Sequence, residues 1–229
     1  MFSYYGSKSK IVHLYPPPKH GLIIEPFAGS ARYALRYFDR EVLLIDKYPV
    51  IVEIWKYLQQ ASEKDILGLP KLQKQERIPD SLSVIEKRLL GFMVVNAAAA
   101  PQSKVCSFEG INVERDLKRV ANNLHKIRHW KIQLGTYLDA PSVEATWFID
   151  PPYFKGGEHY VHSTKQLDFE QLSDWCKSRK GQTIVCENSA ASWLPFNRLC
   201  RMHGSMKATT EVFWTNERVP LQAALFATV

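Results

Sequence analysis

The residues best suited to chemistry end a short apolar segment: Asp150, Pro151, Pro152 and Tyr153. The two prolines fix φ and remove two amide donors, so the strand must stop and the chain is stiff there. The Asp150 carboxylate and the Pro151 carbonyl can then point the same way as two hydrogen-bond acceptors, with the flat Tyr153 ring close by. This fork suits a planar heterocycle that carries an exocyclic NH₂ group and has been taken out of a duplex. A plain Pro-Pro turn with Asp150 as a cap explains the four residues about as well.

Two further polar signals follow apolar segments nearer the start of the chain. Segment 25–29 (Glu-Pro-Phe-Ala-Gly) comes after a short strand, and Gly29 allows a tight turn and a close approach to a ligand. The segment is neither a dinucleotide fingerprint nor a P-loop, because G-x-G-x-x-G and G-K-[S/T] are absent. Asp46 ends the next strand, where an acid can accept hydrogen bonds from two ribose hydroxyls. Taken alone, Asp46 is explained more simply as a cap on the following helix.

Strands and helices alternate around these residues. The pattern predicts two strands that end on Glu25 and Asp46, each followed by a helix, the second of which starts near Pro49. This order is typical of a parallel sheet with crossover helices. Because ligands of such open sheets bind beyond the carboxyl ends of the strands, we expect the three polar segments to share one edge of the sheet.

The middle of the chain, residues 62–131, is mostly helical in period and interrupts the strand pattern. Residues 88–100 are predicted to form a buried helix, and residues 114–130 have an apolar stripe. The rest of that stretch is basic, which most often means a solvated surface, although a phosphate backbone could also lie along it. Its basic residues are Arg115, Lys118, Arg119, His125, Lys126, Arg128 and His129.

Strand patterns return after this insertion. A helix is predicted over 168–179, with Asp168 and Gln171 as a capping pair. The last two predicted strands could form an antiparallel hairpin at the sheet edge. The strands are predicted over 131–138, 146–149, 183–189, 210–216 and 221–229. The sequence therefore predicts an α/β domain made of residues 1–61 and 132–229, with residues 62–131 inserted.

Composition narrows the class of protein. The chain has 229 residues, 45% of them hydrophobic, which is enough for one domain with a sizeable core. Its formal net charge of +7 favours polyanionic partners. No apolar run approaches the ~20 residues that a membrane helix needs, and we see no signal peptide. The four cysteines have no C-x-x-C pair, so we expect reduced thiols and no metal site in a cytoplasmic protein.

Together these segments resemble the Dam-like family of DNA adenine-N6 methyltransferases. The likeness lies in YYGSKSKIV from residue 4, IIEPFAGSA from residue 23, LLIDKY from residue 43 and FIDPPYF from residue 148. The order also fits the family, with cofactor motifs first, then an inserted target-recognition region, then the catalytic motif. The likeness covers roughly residues 3–60 and 130–190.

The resemblance implies a Rossmann-like class I methyltransferase fold with a helical DNA-recognition insertion. It implies transfer of a methyl group from S-adenosylmethionine to adenine N6 in DNA, with base flipping and no metal. The protein would be cytoplasmic, encoded by a bacterium or a phage, and we expect a monomer that binds DNA. The residues carried over as cofactor contacts are Tyr5, Gly6, Lys8, Glu25, Pro26, Phe27, Ala28, Gly29, Asp46 and Asp150. Those carried over as catalytic are Asp150, Pro151, Pro152 and Tyr153.

The chain departs from the family pattern at three places. Ala31 stands where the family loop usually has a second glycine, and Thr136 stands where an acid usually binds the cofactor adenine. Residues 96–104 (NAAAAPQSK) replace an N-R-x-x-F-N segment of the recognition region. Target sequence therefore does not follow from the resemblance.

Other functions stay open on the same residues. Methylation of cytosine N4 uses the same acceptor geometry, but Ser-Pro-Pro-Tyr is more usual there, so Asp150 favours adenine. A non-catalytic nucleic-acid- or cofactor-binding derivative of the fold would have no need of the paired acceptors. Methylation of RNA or of a protein glutamine uses a related Asn-Pro-Pro-Tyr form.

Overall fold

A seven-stranded sheet with the order β3-β2-β1-β4-β5-β7-β6 organises the chain. The strands are β1 (Leu22–Glu25), β2 (Glu41–Asp46), β3 (Lys131–Leu134), β4 (Glu144–Ile149), β5 (Lys180–Asn188), β6 (Asn197–His203) and β7 (Ala208–Thr215). The computed structural model describes residues 1–107, 109–203 and 208–217. Strands β1 to β5 pair in parallel, and β7 runs antiparallel to both β5 and β6. This sheet confirms the predicted α/β, Rossmann-like fold.

The helices lie between the strands as the apolar patterns predict. They are α1 (Arg32–Arg36), α2 (Pro49–Gln60), α3 (Glu63–Leu67), α4 (Val84–Gly91), α5 (Val113–Ala121) and α6 (Phe169–Lys177). Pro49 occupies the first turn of α2, where a missing amide costs nothing. Ser62 and Ser83 begin α3 and α4 with capping boxes. The Asp168 side chain caps α6 by accepting from the amide of Gln171, as predicted.

Alternate residues of the central strands enter two separate apolar clusters. Ile23, Leu44 and Phe148 belong to one cluster, and their neighbours Ile24 and Ile45 belong to the other. Since successive side chains of a strand point to opposite faces, the two clusters lie on opposite faces of the sheet. The sheet is thus covered on both sides, and polar strand-end residues are left at its edges.

The helices of the inserted segment share the larger of these clusters. Leu89, Leu117 and Ile127 are buried in it together with Trp55 of α2. Helix α4 packs on α2, and α3 packs on α5. Residues 62–131 therefore extend the core of the sheet domain. Their role as a DNA-recognition region stays a prediction.

The basic residues of α5 are paired with acids of the same helix. The Lys118 ammonium lies 2.9 Å from the Glu114 carboxylate. Asp116 lies 3.1 Å from Arg119 and 3.5 Å from Arg115. These pairs partly neutralise the face on which the sequence allows a phosphate backbone, and they favour a solvated surface.

Two local predictions differ from the structure. The buried helix expected over 88–100 ends at Gly91, because the chain folds back there: Gln102 donates to the Gly91 carbonyl, and a Cβ at Gly91 would lie 2.6 Å from Pro101. The strand expected over 131–138 ends at Leu134. The strand predicted over 210–216 is present as β7, which forms an antiparallel hairpin with β6, a strand that the sequence patterns did not indicate. The strand predicted over 221–229 lies outside the described residues.

Two expectations concern membranes and thiols. No helix within the described residues is long and apolar enough to cross a membrane. Cys106, Cys176, Cys186 and Cys200 are all free thiols, as predicted, and three of them are buried.

Candidate functional site

A cavity of about 830 Å³, which includes its part open to solvent, gathers the three polar segments. Glu25, Asp46 and Asp150 line it from the carboxyl ends of β1, β2 and β4. These strands are neighbours in the sheet, with Glu25 opposite Leu44 and Ile24 opposite Trp147, so their ends meet at one edge.

Asp150 forms a largely buried ion pair with Lys8. The Lys8 ammonium lies 2.8 Å from Oδ1 and 2.9 Å from Oδ2 of Asp150, and it also donates to the Gly6 carbonyl at 2.9 Å. Burial raises the pKa of the Asp150 carboxyl, and Lys8 opposes that rise. Burial also opposes the charge on Lys8, but Asp150 and Glu211 outweigh this and raise the pKa of its ammonium. Asp150 and Glu211 thus favour the charged form of Lys8, and Lys8 in turn favours the ionised form of Asp150.

The three residues after Asp150 have different surroundings. Pro152 lines the cavity, and Pro151 is buried. Within the described part of the chain, no group donates a hydrogen bond to the Pro151 carbonyl. Neither Pro151 nor Tyr153 is among the residues that line the cavity. The Tyr153 hydroxyl donates to Glu211, and its ring centre lies 4.7 Å from the Lys8 ammonium.

Glu25 is a buried carboxyl group, 2% exposed, that accepts a hydrogen bond from the Ala34 amide at 2.6 Å. Burial raises its pKa to about 8; the Ala34 amide lowers it and the Asp150 charge raises it. Near neutral pH this carboxyl therefore holds a proton, which it would release when a cationic group of a ligand approached.

Asp46 holds the turn after β1 in place. Its two carboxylate oxygens accept from the amides of Gly29 at 2.9 Å and Tyr48 at 2.8 Å. Gly29 has φ +44°, and its carbonyl accepts from the Trp55 indole at 2.9 Å. Burial raises the pKa of Asp46, and the two amides oppose the rise. A carboxylate fixed in this way keeps lone pairs for ligand hydroxyls.

Phe27 and Ala28 line the cavity, whereas Pro26 is buried and is not among the lining residues. The Phe27 ring stacks on Tyr137 at 5.7 Å. Thr136, which replaces an acid, caps the short 3₁₀ helix at 137–139: Asp139 accepts from its amide at 2.7 Å and from its hydroxyl at 2.9 Å. An acid is therefore present in this loop three residues later than expected.

The N-terminal segment forms a wall of the cavity through Tyr5, Gly6 and Lys8. The Tyr5 amide donates to Ala98 at 3.0 Å, and its carbonyl accepts from the Tyr160 hydroxyl at 3.1 Å. Gly6 has φ +73°, and a Cβ there would collide with the Tyr160 hydroxyl. Glycine is required here on both grounds.

Sequence reasoning missed the part of the cavity that follows the catalytic motif. Tyr160, His162, Gln166 and Leu167 line the cavity from the segment between β4 and α6. His162 and Lys47 both contact the Gln166 side-chain oxygen, at 3.2 and 3.1 Å. The only signal in the sequence is that aromatic and polar residues cluster in EHYVHSTKQL directly after Gly156 and Gly157.

Comparison with known proteins gives a weak result. No family model matches the chain, and no curated protein matches it. Among solved structures, the chain is similar to a protein from Pseudomonas syringae that is provisionally named a methyltransferase. The two are 10% identical, the match covers 90% of this chain and 94% of that chain, and the TM-score is 0.40. At that level the likeness carries no argument about the function of this chain.

Proposed function

We propose that the protein transfers a methyl group from S-adenosylmethionine to the exocyclic N6 of adenine in DNA. The observation that carries the proposal is that Glu25, Asp46 and Asp150 line one cavity from three neighbouring strand ends. Two of these acids suit a cationic, ribose-containing cofactor, and the third begins the Asp-Pro-Pro-Tyr motif.

The residues that line the cavity suit the charge and the hydroxyl groups of the cofactor. Asp46 would accept hydrogen bonds from the ribose hydroxyls, and Glu25 would face the methionine ammonium. Tyr5, Gly6 and residues 26–29 would surround the rest. When bound, S-adenosylmethionine supplies a methyl group already activated by the positive sulfonium, so positioning does most of the remaining work.

The acceptor fork prepares the adenine amine for attack. The amine is a poor nucleophile because its lone pair is delocalised into the ring. Asp150 and the Pro151 carbonyl would accept its two hydrogens, which localises the lone pair as the transition state forms. The surplus proton then leaves from N6 toward the Asp150 carboxylate. A flipped base would enter beside Pro152, with Tyr153 as the stacking ring.

A labelling experiment tests this proposal. The protein is incubated with double-stranded DNA and methyl-labelled cofactor, and the DNA is digested to nucleosides and separated. We expect label in N6-methyl-2′-deoxyadenosine from the wild type. Asp150→Ala should lose at least about 100-fold in turnover, because it removes one acceptor of the fork. Asp174→Ala, at an exposed acid of α6, is the matched control and should keep full activity.

The outcomes separate the alternatives. Label in N4-methylcytosine would replace adenine as the target base. Label in RNA or protein substrates, with none in DNA, would change the substrate class. If DNA is bound and no substrate is labelled, the chain is a binding derivative of the fold.

A further inference from the structure

Glu211 of β7 is a buried carboxylate next to the proposed active site, and the sequence motifs do not include it. It is 6% exposed. Its Oε1 accepts from the hydroxyl of Tyr153 and, at 2.7 Å, from that of Tyr15. The Lys8 ammonium lies 3.8 Å from the same oxygen. Glu211 therefore contacts the last residue of the Asp-Pro-Pro-Tyr motif and the cation that is paired with the first.

The reversed strand brings Glu211 to this edge of the sheet. β7 runs antiparallel to β5, and Glu211 lies opposite Asn188, the last residue of β5. On the other side it pairs with Cys200 of β6. A residue near the start of β7 is thus placed level with the carboxyl ends of the parallel strands, where Asp150 lies.

The neighbouring donors and the Lys8 charge explain how a buried carboxylate is stabilised in this position. An unpaired buried carboxylate is strongly disfavoured, so Glu211 depends on its tyrosine donors and on Lys8. Lys8 in turn lies between two carboxylates, Asp150 and Glu211. Without Glu211, the Lys8 ammonium would be attracted to Asp150 alone and would weaken it as an acceptor.

We propose that Glu211 is a positioning residue for methyl transfer: it fixes the Tyr153 ring through the hydroxyl and shares the Lys8 ammonium with Asp150. This inference rests on the proposed function, because it assigns a role in the same reaction. Glu211 is not among the residues that line the cavity, and it acts through its contacts with Tyr153 and Lys8.

Steady-state kinetics of Glu211→Gln test the inference. We expect kcat to fall about 10- to 100-fold, as for a small misplacement of reacting groups, with the KM for cofactor changed less than threefold. Tyr33→Phe is the matched control, since it also removes the hydroxyl of a buried tyrosine. The Tyr33 hydroxyl donates to the Pro16 carbonyl at 2.7 Å, and Tyr33 does not line the cavity. It should keep the wild-type kcat.

A double-mutant cycle tests the route through Tyr153. If Glu211 acts through the Tyr153 hydroxyl, Tyr153→Phe lowers kcat and the double variant is no worse than the poorer single variant. The acid limb of the kcat/KM profile of Glu211→Gln should also move to lower pH, because Asp150 is then paired with all of the Lys8 charge. A role in stability alone would leave that limb in place. If Glu211→Gln does not fold, Tyr153→Phe carries the same expectation for kcat.

The outcomes are distinct from those of the proposed function. Wild-type kcat and pH profile in Glu211→Gln, or additive losses in the cycle, overturn the inference while DNA methylation stands. If the wild type labels no DNA, the proposed function fails instead. The same cycle is then measured on urea unfolding: non-additive losses support the Glu211–Tyr153 contact, and additive losses overturn it.

Discussion

At the scale of single residues, burial changes the protonation of Glu25. Its pKa of about 8 in the folded chain lies above the ordinary value of 4.5. The folded state thus keeps a proton that the unfolded chain loses. The stability of the fold with respect to this group is highest below about pH 4.5 and decreases as the pH rises toward 8. The cost is the price of placing an acid where a cationic ligand can use it.

Glu25→Gln should remove this pH dependence while keeping the acceptor for the Ala34 amide. We expect the variant to gain stability relative to the wild type steadily from pH 5 to pH 8, and to bind S-adenosylmethionine more weakly. Urea unfolding at four pH values and calorimetric titration of the cofactor measure the two effects. Glu63→Gln, at an exposed glutamate, is the control; an identical pH trend in both variants would contradict the prediction.

Ala31 is strained at the backbone. It has φ +45° and ψ +48°, the left-handed region, at the position where the resembled family has glycine. This conformation destabilises a residue that carries a Cβ by roughly 1–2 kcal/mol.

Ala31→Gly should therefore raise the free energy of unfolding by about 0.5–1 kcal/mol, after the extra chain entropy of glycine is subtracted. Ala61→Gly is the matched control: Ala61 is also buried, but its φ is −61°, so glycine should lower stability there. Chemical denaturation measures the free energy of unfolding of both variants. A loss of stability in Ala31→Gly would show that backbone strain at Ala31 does not lower the stability of the wild type.

At the scale of elements, the cavity depends on how the N-terminal segment packs against the segment after β4. Tyr160 of the second segment bonds to Tyr5 and lies directly over Gly6 of the first. The two segments are 155 residues apart in the chain, and both line the cavity. Their packing therefore sets the position of Lys8 and with it that of Asp150.

Gly6→Ala should separate these segments, because the new Cβ would collide with the Tyr160 hydroxyl. We expect a loss of stability and of cofactor affinity, both partly restored by adding Tyr160→Phe, which removes the colliding oxygen. Gly110→Ala is the matched control: it has φ +93° with no atom within 4 Å of a Cβ, so it costs only backbone strain, about 1 kcal/mol. Equal losses in the two alanine variants, or no rescue, would refute the collision.

At the scale of the whole molecule, the net charge is +7, and its cations differ in whether an acid of the same element pairs with them. The cations of α5 are paired with acids of their own helix. Lys155, by contrast, is exposed and directly follows the Asp-Pro-Pro-Tyr-Phe segment, where its carbonyl accepts from the Asn188 side chain at 2.6 Å. Phosphates near a flipped base would meet this part of the surface.

DNA affinity should fall steeply with salt, by about 0.9 in log K per phosphate contact for each tenfold rise in salt. Asp150→Ala should bind DNA about as well as the wild type. Lys155→Ala should reduce the slope of log K against log salt by about the value of one phosphate contact. Lys118→Ala, the control in α5, should change this slope less. Binding titrations from 50 to 200 mM salt measure the slopes. A slope that Lys118 alone reduces would place the DNA on α5.

Local sequence patterns predict much of this architecture. The apolar runs that end on Glu25, Asp46 and Asp150 are β1, β2 and β4 as predicted, because buried parallel strands are continuous hydrophobic segments. The alternation of strands with helices predicted that the strands run parallel. From this followed the expectation that the three acids meet at one edge of the sheet. Local sequence was enough wherever the physical cause, burial of one strand or one helix face, was itself local.

Tertiary structure alone decided the remaining contacts, because they join residues far apart in the chain. Nothing near Lys8 in sequence indicates its pairing with Asp150, 142 residues away, or the contact of Glu211 with Tyr153, 58 residues away. The end of α4 at Gly91 depends on the later residues that fold back onto it. The sequence thus determined most of the strands, the parallel character of the sheet and the acids at the strand ends. The packing of distant segments decided the order of the strands and which charges neutralise one another, since both depend on distance in space.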